Sequence, residues 1–129
     1  MPCPFCELIA RGPVELDGGA AVAIVDAFPL NPGHVLVLPR RHEPNFLALQ
    51  PEELEAVAKV ARTLVQRIEG AYHADGFNLG VNVGHAAGQT IDHAHLHLIP
   101  RYRGDVPDPR GGIRWIIPAR APYWQAPKS

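Results

Sequence analysis

The chain has 129 residues, 47% of them hydrophobic and 19% charged, and carries a net charge of −1. That is one domain able to bury a core of its own, which excludes disorder over most of its length. The charge balance argues against a nucleic-acid binder held by a basic patch. The lack of a long apolar run or signal peptide argues against a membrane role, so the cytosol is the expected compartment.

The first segment, Met1–Arg11, reads as an apolar, proline-containing turn that carries Cys3 and Cys6. In a reducing compartment two cysteines so close suit a metal half-site better than a structural disulfide. A redox reading asks for the start of a helix after a strand, and no strand precedes this pair. A zinc reading needs two further ligands. Val14–Leu16 is a candidate short strand, and Asp17-Gly18-Gly19 signals a hairpin turn. Ala20–Val25 is a buried strand closed by Asp26, a carboxylate that either makes the turn or contacts a ligand. Pro29, Pro32 and Gly33 fix a tight connection into the next strand, His34–Leu38.

Pro51–Tyr72 carries the strongest helix pattern. Pro51 suits the first helical position, and Glu52 and Glu53 complement the dipole. Leu54, Val57, Ala61, Leu64, Val65 and Ile68 form one apolar stripe, and Gly70 weakens the end. Gly76–Val83 reads as a strand interrupted by Gly80. His73 and His85 lie in polar surroundings and are expected in solvent. Tyr102–Ser129 is a tail rich in proline, glycine and arginine with one apolar run, Ile113–Ile117. Short hairpins and one long crossover helix make the fold class α+β, an antiparallel sheet with a helix on one face.

The chain is organised around Gly88–Arg101, GQTIDHAHLHLIPR. His93, His95 and His97 alternate with Ala94, Leu96 and Leu98. A period of two predicts a strand with all three imidazoles on one side, about 6.6 Å apart, and the apolar residues facing a core. His42 follows one strand end and His93 begins another. With Cys3 and Cys6 they would make a Cys2His2 zinc set; the alternative is a free thiol pair with His42 on the surface. His95, His97 and His34 remain for chemistry. Ser129 is the last residue and both cysteines are N-terminal, so a nucleophile here would be histidine, which attacks phosphorus well. The Gly84–Thr90 loop offers backbone N–H groups to phosphate, and Gln89 and Thr90 offer neutral donors. The alternative is a set of core histidines with satisfied hydrogen bonds.

HAHLHLI at His93–Ile99 resembles the signature of the histidine triad family, His-φ-His-φ-His-φ-φ with φ apolar. PGHVLVLPRRH at Pro32–His42, CPFC at Cys3–Cys6 and NVGHAAGQT at Asn82–Thr90 resemble family blocks in the same order. The likeness covers residues 3–103. It implies a five-stranded antiparallel sheet with one long helix and a short one, paired into a ten-stranded sheet in a homodimer. The domain would span residues 1–103, and residues 104–129 would pack on it or on the partner subunit. It implies a nucleotidyl hydrolase or transferase in which His95 attacks the α-phosphorus of a purine nucleotide, with His97 and His34 orienting and polarising that centre. Asn82, Gln89 and Thr90 would contact phosphate and leaving group, Asp26 the ribose hydroxyls, and Phe5, Leu8 and Ile24 the base. Cys3, Cys6, His42 and His93 would hold a structural zinc, and the chemical step would need no divalent cation.

Two substrate branches follow from the resemblance. Dinucleoside polyphosphates such as diadenosine tetraphosphate fit the loop before the triad. Adenosine phosphoramidates and aminoacyl-adenylates fit the cysteine pair. A slowly turning over nucleotide-binding regulator and a purely structural zinc module are the other classes. Arg101, Arg103, Arg110 and Arg114 would either meet distal phosphates of a long substrate or pair with Asp105 and Asp108. Trp115 and Trp124 are candidates to cover a partner's site.

Overall fold

In a computed structural model the protein forms one antiparallel sheet with a helix on each face. The structure describes residues 2–125; Met1 and residues 126–129, including Ser129 of the expected tail, lie outside them. The strands are β1 (Leu16–Asp17), β2 (Ala21–Val25), β3 (Val35–Pro39), β4 (Gly76–Val81) and β5 (Leu96–Arg101), in the order β1-β2-β3-β5-β4. The two helices are α1 (Pro4–Arg11) and α2 (Pro51–Tyr72).

Alternation along the strands sorts side chains into two layers. Ala21, Ala23, Val35, Val37 and Leu98 face α2 and pack against Val57, Ala61, Leu64 and Ile68 of its stripe and against Val60, whereas Leu54 at the start of the stripe is exposed. Val22, Ile24, Leu36 and Leu38 face the other way, against Phe5, Leu8 and Ile9 of α1 and against Ile91. The register Ile24↔Leu36, Leu36↔His97 and Gly80↔His97 carries that second face across four strands. His97 therefore lies on the α1 side of the sheet.

The helix α2 has the bounds its sequence predicts. Gln50 N–H donates to the Glu53 carboxylate at 2.8 Å, so an acidic side chain in the first turn also satisfies a free amide at the start. The helix runs through Gly70 and stops at His73, which takes the left-handed conformation at φ 57.

Two expectations are corrected. The N-terminal segment is no turn: Pro4–Arg11 is helical, with Cys3 as its cap accepting from Cys6 N–H. The cysteine pair does sit at a helix start, still with no strand before it. The histidine strand is also shorter than its alternation implies. Pairing begins at Leu96, so His93 and His95 lie in the chain leading into β5. That lead-in is pinned to the turn after β3, where Ala94 N–H donates to the Glu43 carbonyl at 2.7 Å.

The described part of the tail folds onto the same sheet face as α1. A 3-10 turn over Gly112–Ile116 lies against β4; a Cβ on Gly80 would stand 3.5 Å from Ile113. Among the described residues no helix is long and apolar enough to cross a membrane.

Candidate active site

A cleft of about 280 Å³ opens on the α1 face, lined by Phe5, Leu8, Ile24, Asp26, Asn82 and Thr90, with His95 and His97 on its floor. Seven of the ten non-metal residues singled out in the sequence are thus drawn together from α1, β2, β4 and the approach to β5, and His97 makes eight. Phe28, Leu36 and Ile91 also line it and were not singled out. Leu36 was recoverable, since it shares a strand face with His34; nothing local marks Phe28 or Ile91.

Each histidine of the triad has one nitrogen committed. His95 Nδ1 lies 2.9 Å from the His93 carbonyl, so Nδ1 carries the hydrogen. Its Nε2 keeps a free lone pair and has no protein partner among the described residues. His95 is 8% exposed, shielded by an edge-on contact from Phe5 with ring centroids 5.1 Å apart. His34 is buried beneath the cleft, not in its lining. Leu30 N–H donates to His34 Nδ1 at 3.0 Å, which leaves the hydrogen on Nε2; that Nε2 stands 3.1 Å from His97 Nδ1. His97 Nδ1 accepts, so Nε2–H is the donor left to His97. Burial pushes both His34 and His97 below the ordinary imidazole value, while the Asp26 charge pulls the other way.

Two sets of assigned groups already have protein partners in the structure. Gln89 is outside the cleft and its amide is spent: Nε2 donates to the carbonyls of Pro44 at 2.7 Å and Ile91 at 3.1 Å, and Oε1 accepts from Gly84 N–H at 2.9 Å. It braces the Gly84–Thr90 loop and offers no free donor. The tail arginines are likewise committed. Arg101 clamps Asp105, whose carboxyl it holds far below the usual range, and Arg110 pairs with Asp108 while stacking on Trp124. Arg114 donates to the Ala121 and Arg120 carbonyls, and Arg103 reaches Asp75. Pairing with Asp105 and Asp108 is the alternative the structure favours. His73 and His85 are exposed, as the sequence suggests.

Beside the cleft, one ligand atom from each of Cys3, Cys6, His42 and His93 falls within 4.8 Å of the others. His93 Nε2–H donates to the Pro39 carbonyl at 2.8 Å, which turns Nδ1 toward the thiols. That nitrogen lies 3.5 Å from Cys3 Sγ and 3.6 Å from Cys6 Sγ, and His42 Nδ1 lies 3.5 Å from Cys6 Sγ. A tetrahedral zinc with its usual bond lengths sets sulfur–nitrogen edges of about 3.6 Å. The donor set and its spacing fit zinc. Arg41 helps to place His42, because its guanidinium grips the Glu53 carboxylate through contacts of 2.9 and 3.1 Å.

The fold and the histidine cluster together define a histidine triad protein. A HIT domain matches residues 16–104, and the chain belongs to that family. An uncharacterized HIT-like protein of Saccharolobus solfataricus is 34% identical over 106 residues, covering 80% of this chain and 76% of its own. The bis(5'-nucleosyl)-tetraphosphatase [asymmetrical] of Schizosaccharomyces pombe is 41% identical over 85 residues, covering 66% of this chain and 47% of its own. Among solved structures, a Zn-bound histidine triad family protein from Mycobacterium smegmatis superposes with a TM-score of 0.74 at 32% identity, covering 92% of this chain and 93% of that one.

Proposed function

We propose that this protein is a nucleotidyl hydrolase with His95 as its nucleophile. His95 Nε2 attacks the α-phosphorus of a bound purine nucleotide. The bond from that phosphorus to the leaving group breaks, and its electron pair goes with the leaving group. Water then attacks the same phosphorus, the phosphorus–nitrogen bond breaks with its pair returning to Nε2, and the mononucleotide is released. The observation that carries this reading is the geometry of one ring: Nδ1 held by the His93 carbonyl and Nε2 free on the cleft.

The remaining residues take roles that suit their places. Phe5, Leu8 and Ile24 wall the base. Asp26 accepts from the ribose hydroxyls, for which a carboxylate has lone pairs to spare. Asn82, Thr90 and the Gly88–Thr90 backbone face the phosphates, and His97, backed by His34, donates to the charge that develops there. With those donors in place the chemical step calls for no divalent cation. Zinc on Cys3, Cys6, His42 and His93 is structural, and β4, an edge strand with Leu79 exposed, pairs with a second copy into a ten-stranded sheet. The protein works in the cytoplasm.

The first substrate in this reading is a dinucleoside polyphosphate such as diadenosine tetraphosphate, which the tetraphosphatase relative supports. A second reading, an adenosine phosphoramidate or aminoacyl-adenylate, is favoured by a specific observation. Among the described residues the cleft lining contains no lysine or arginine, and the nearby Arg101 and Arg110 are already paired. Quenched incubation with labelled diadenosine tetraphosphate and, in parallel, labelled adenosine phosphoramidate tests the chemistry and ranks the substrates. The expected result is AMP on His95 in the wild type, and binding without labelling in His95→Asn. Label on another residue, or turnover by His95→Asn, overturns the reading.

A further inference from the structure

Asp26 closes β2 beside the cleft, but its carboxylate also faces inward. Its N–H donates to the His34 carbonyl at 3.2 Å, and its Oδ1 accepts from Phe28 N–H at 2.9 Å. Those two bonds fix the side chain and leave Oδ2 3.3 Å from His34 Nε2 and 3.7 Å from His97 Nδ1. One atom from each of the three residues falls within 4.8 Å of the others. The His34 tautomer is set independently by Leu30 N–H, so the hydrogen on His34 Nε2 lies between His97 and a carboxylate. His34 is 2% exposed and Asp26 only 15% exposed on its side chain, so bulk water screens this contact weakly.

We propose that Asp26 is a positioning residue for the reaction: its carboxylate holds the His34–His97 pair in place and supplies the negative charge that lets the pair carry a proton while His95 reacts. This rests on the nucleotidyl hydrolase reading and adds to the ribose contact assigned there. An opposite charge within about 4–6 Å raises an imidazole by on the order of 1–3 pH units, and here it works against burial. Among the described residues the charged or titratable groups that act on the pair are Asp26 from the end of β2 and His95 from the approach to β5, while Glu15 and, from α2, Arg67 and Tyr72 line a pocket that His34 also borders. The neighbouring strand β4 brings Gly80 opposite His97, and α1 brings Phe5 against His95; neither titrates.

The test follows the His34 and His97 ring signals by NMR against pH in the zinc-loaded full chain, wild type against Asp26→Asn. Asp26→Asn keeps an oxygen for Phe28 N–H and a polar group for ribose but loses the charge. Kinetics on a labelled nucleotide and its 2′,3′-dideoxy analogue run beside it. The expected result is that both rings take up protons about 1 unit lower in Asp26→Asn. In the same variant kcat should fall on the order of ten- to a hundredfold with either substrate, with KM little changed. Asp26→Glu, which keeps the charge, should restore part of both. Unchanged ring titrations, with a loss seen only as raised KM for the ribose substrate, would overturn the proposal and leave Asp26 a ribose contact alone. Should Asp26→Asn not fold, Asp26→Ser, which can still accept from Phe28 N–H, takes its place in the same titration. If the wild type turns over no nucleotide, the hydrolase reading has failed, and the ring titrations still decide whether Asp26 supports the pair.

Discussion

At the residue scale the site depends on which nitrogen of each imidazole is already bonded. A backbone carbonyl, a backbone N–H and a second carbonyl fix His95, His34 and His93 in turn. None of those three partners is a side chain, so no residue pattern could have named them. The spacing His-x-His-x-His was legible, and so was the separation of His93 from His95 and His97; which nitrogen of each ring is bonded was not. Gln89 makes the same point, because one amide can serve a phosphate or a loop and only its partners decide. The neutral state of the buried rings also has a thermodynamic consequence. Burial lowers His34 and His97 relative to the unfolded chain, where an imidazole titrates near its ordinary value. Above about pH 6.5 both states are neutral and these groups contribute no pH dependence. As pH falls through that value, the unfolded chain takes up protons that the folded one resists, so stability is lost down to the lowered folded values. Urea midpoints at constant salt should therefore fall between pH 7.5 and pH 5.5. The fall should be shallower in His97→Gln, whose own ring no longer contributes; an identical slope in both would remove His97 from the account.

At the scale of elements, legibility tracks how many turns or pairs support the pattern. The helix α2 was readable to the residue because its stripe recurs from Leu54 to Ile68 within 22 residues set between a proline and a left-handed cap. The eight residues of α1 give barely two turns, too few for a periodic signal, and its cap is a thiol, which no capping preference anticipates. For β5 the alternation extended too far upstream. A period of two fits extended backbone, but the chain bends over Ile91–His93 and pairs in the sheet only from Leu96. The stripe on α2 does the main structural work of the layer it forms with the sheet, and Leu64 lies near its centre, 2% exposed. Leu64→Ala should cost about 2–5 kcal/mol by urea unfolding, because the methyl groups lost leave a cavity that a rigid sheet cannot fill. Zinc content should stay unchanged, since the metal ligands lie on the other side of the sheet. A cost below about 1 kcal/mol would mean that the helix does not anchor the sheet as described.

For the molecule as a whole, the metal centre and the cleft are one construction. The four ligands come from the start of α1, the turn after β3 and the approach to β5, three places far apart in the chain. An ion there would tie the N-terminus of α1 to the sheet. The same helix delivers Phe5 and Leu8 to the wall of the cleft, and Phe5 also touches the His93 and His95 rings at centroid distances of 6.0 and 5.1 Å. Among the described residues this short helix is held to the sheet by apolar contacts with the second layer and by its cysteines' approach to His42 and His93. Zinc removal should therefore act on the Phe5–Leu8 wall of the cleft before it acts on His95, the proposed nucleophile, whose Nδ1 is held by its own chain. Purified protein should contain one zinc per chain, and stripping it with a strong chelator should lower Tm by several degrees. In the stripped protein KM for the nucleotide should rise severalfold while kcat falls less, and added zinc should restore both. Cys6→Ser should reproduce the stripped behaviour without recovering on zinc addition. A chelated protein with unchanged Tm and KM would show that α1 stands on its apolar contacts alone, and the metal would then have no part in shaping the cleft.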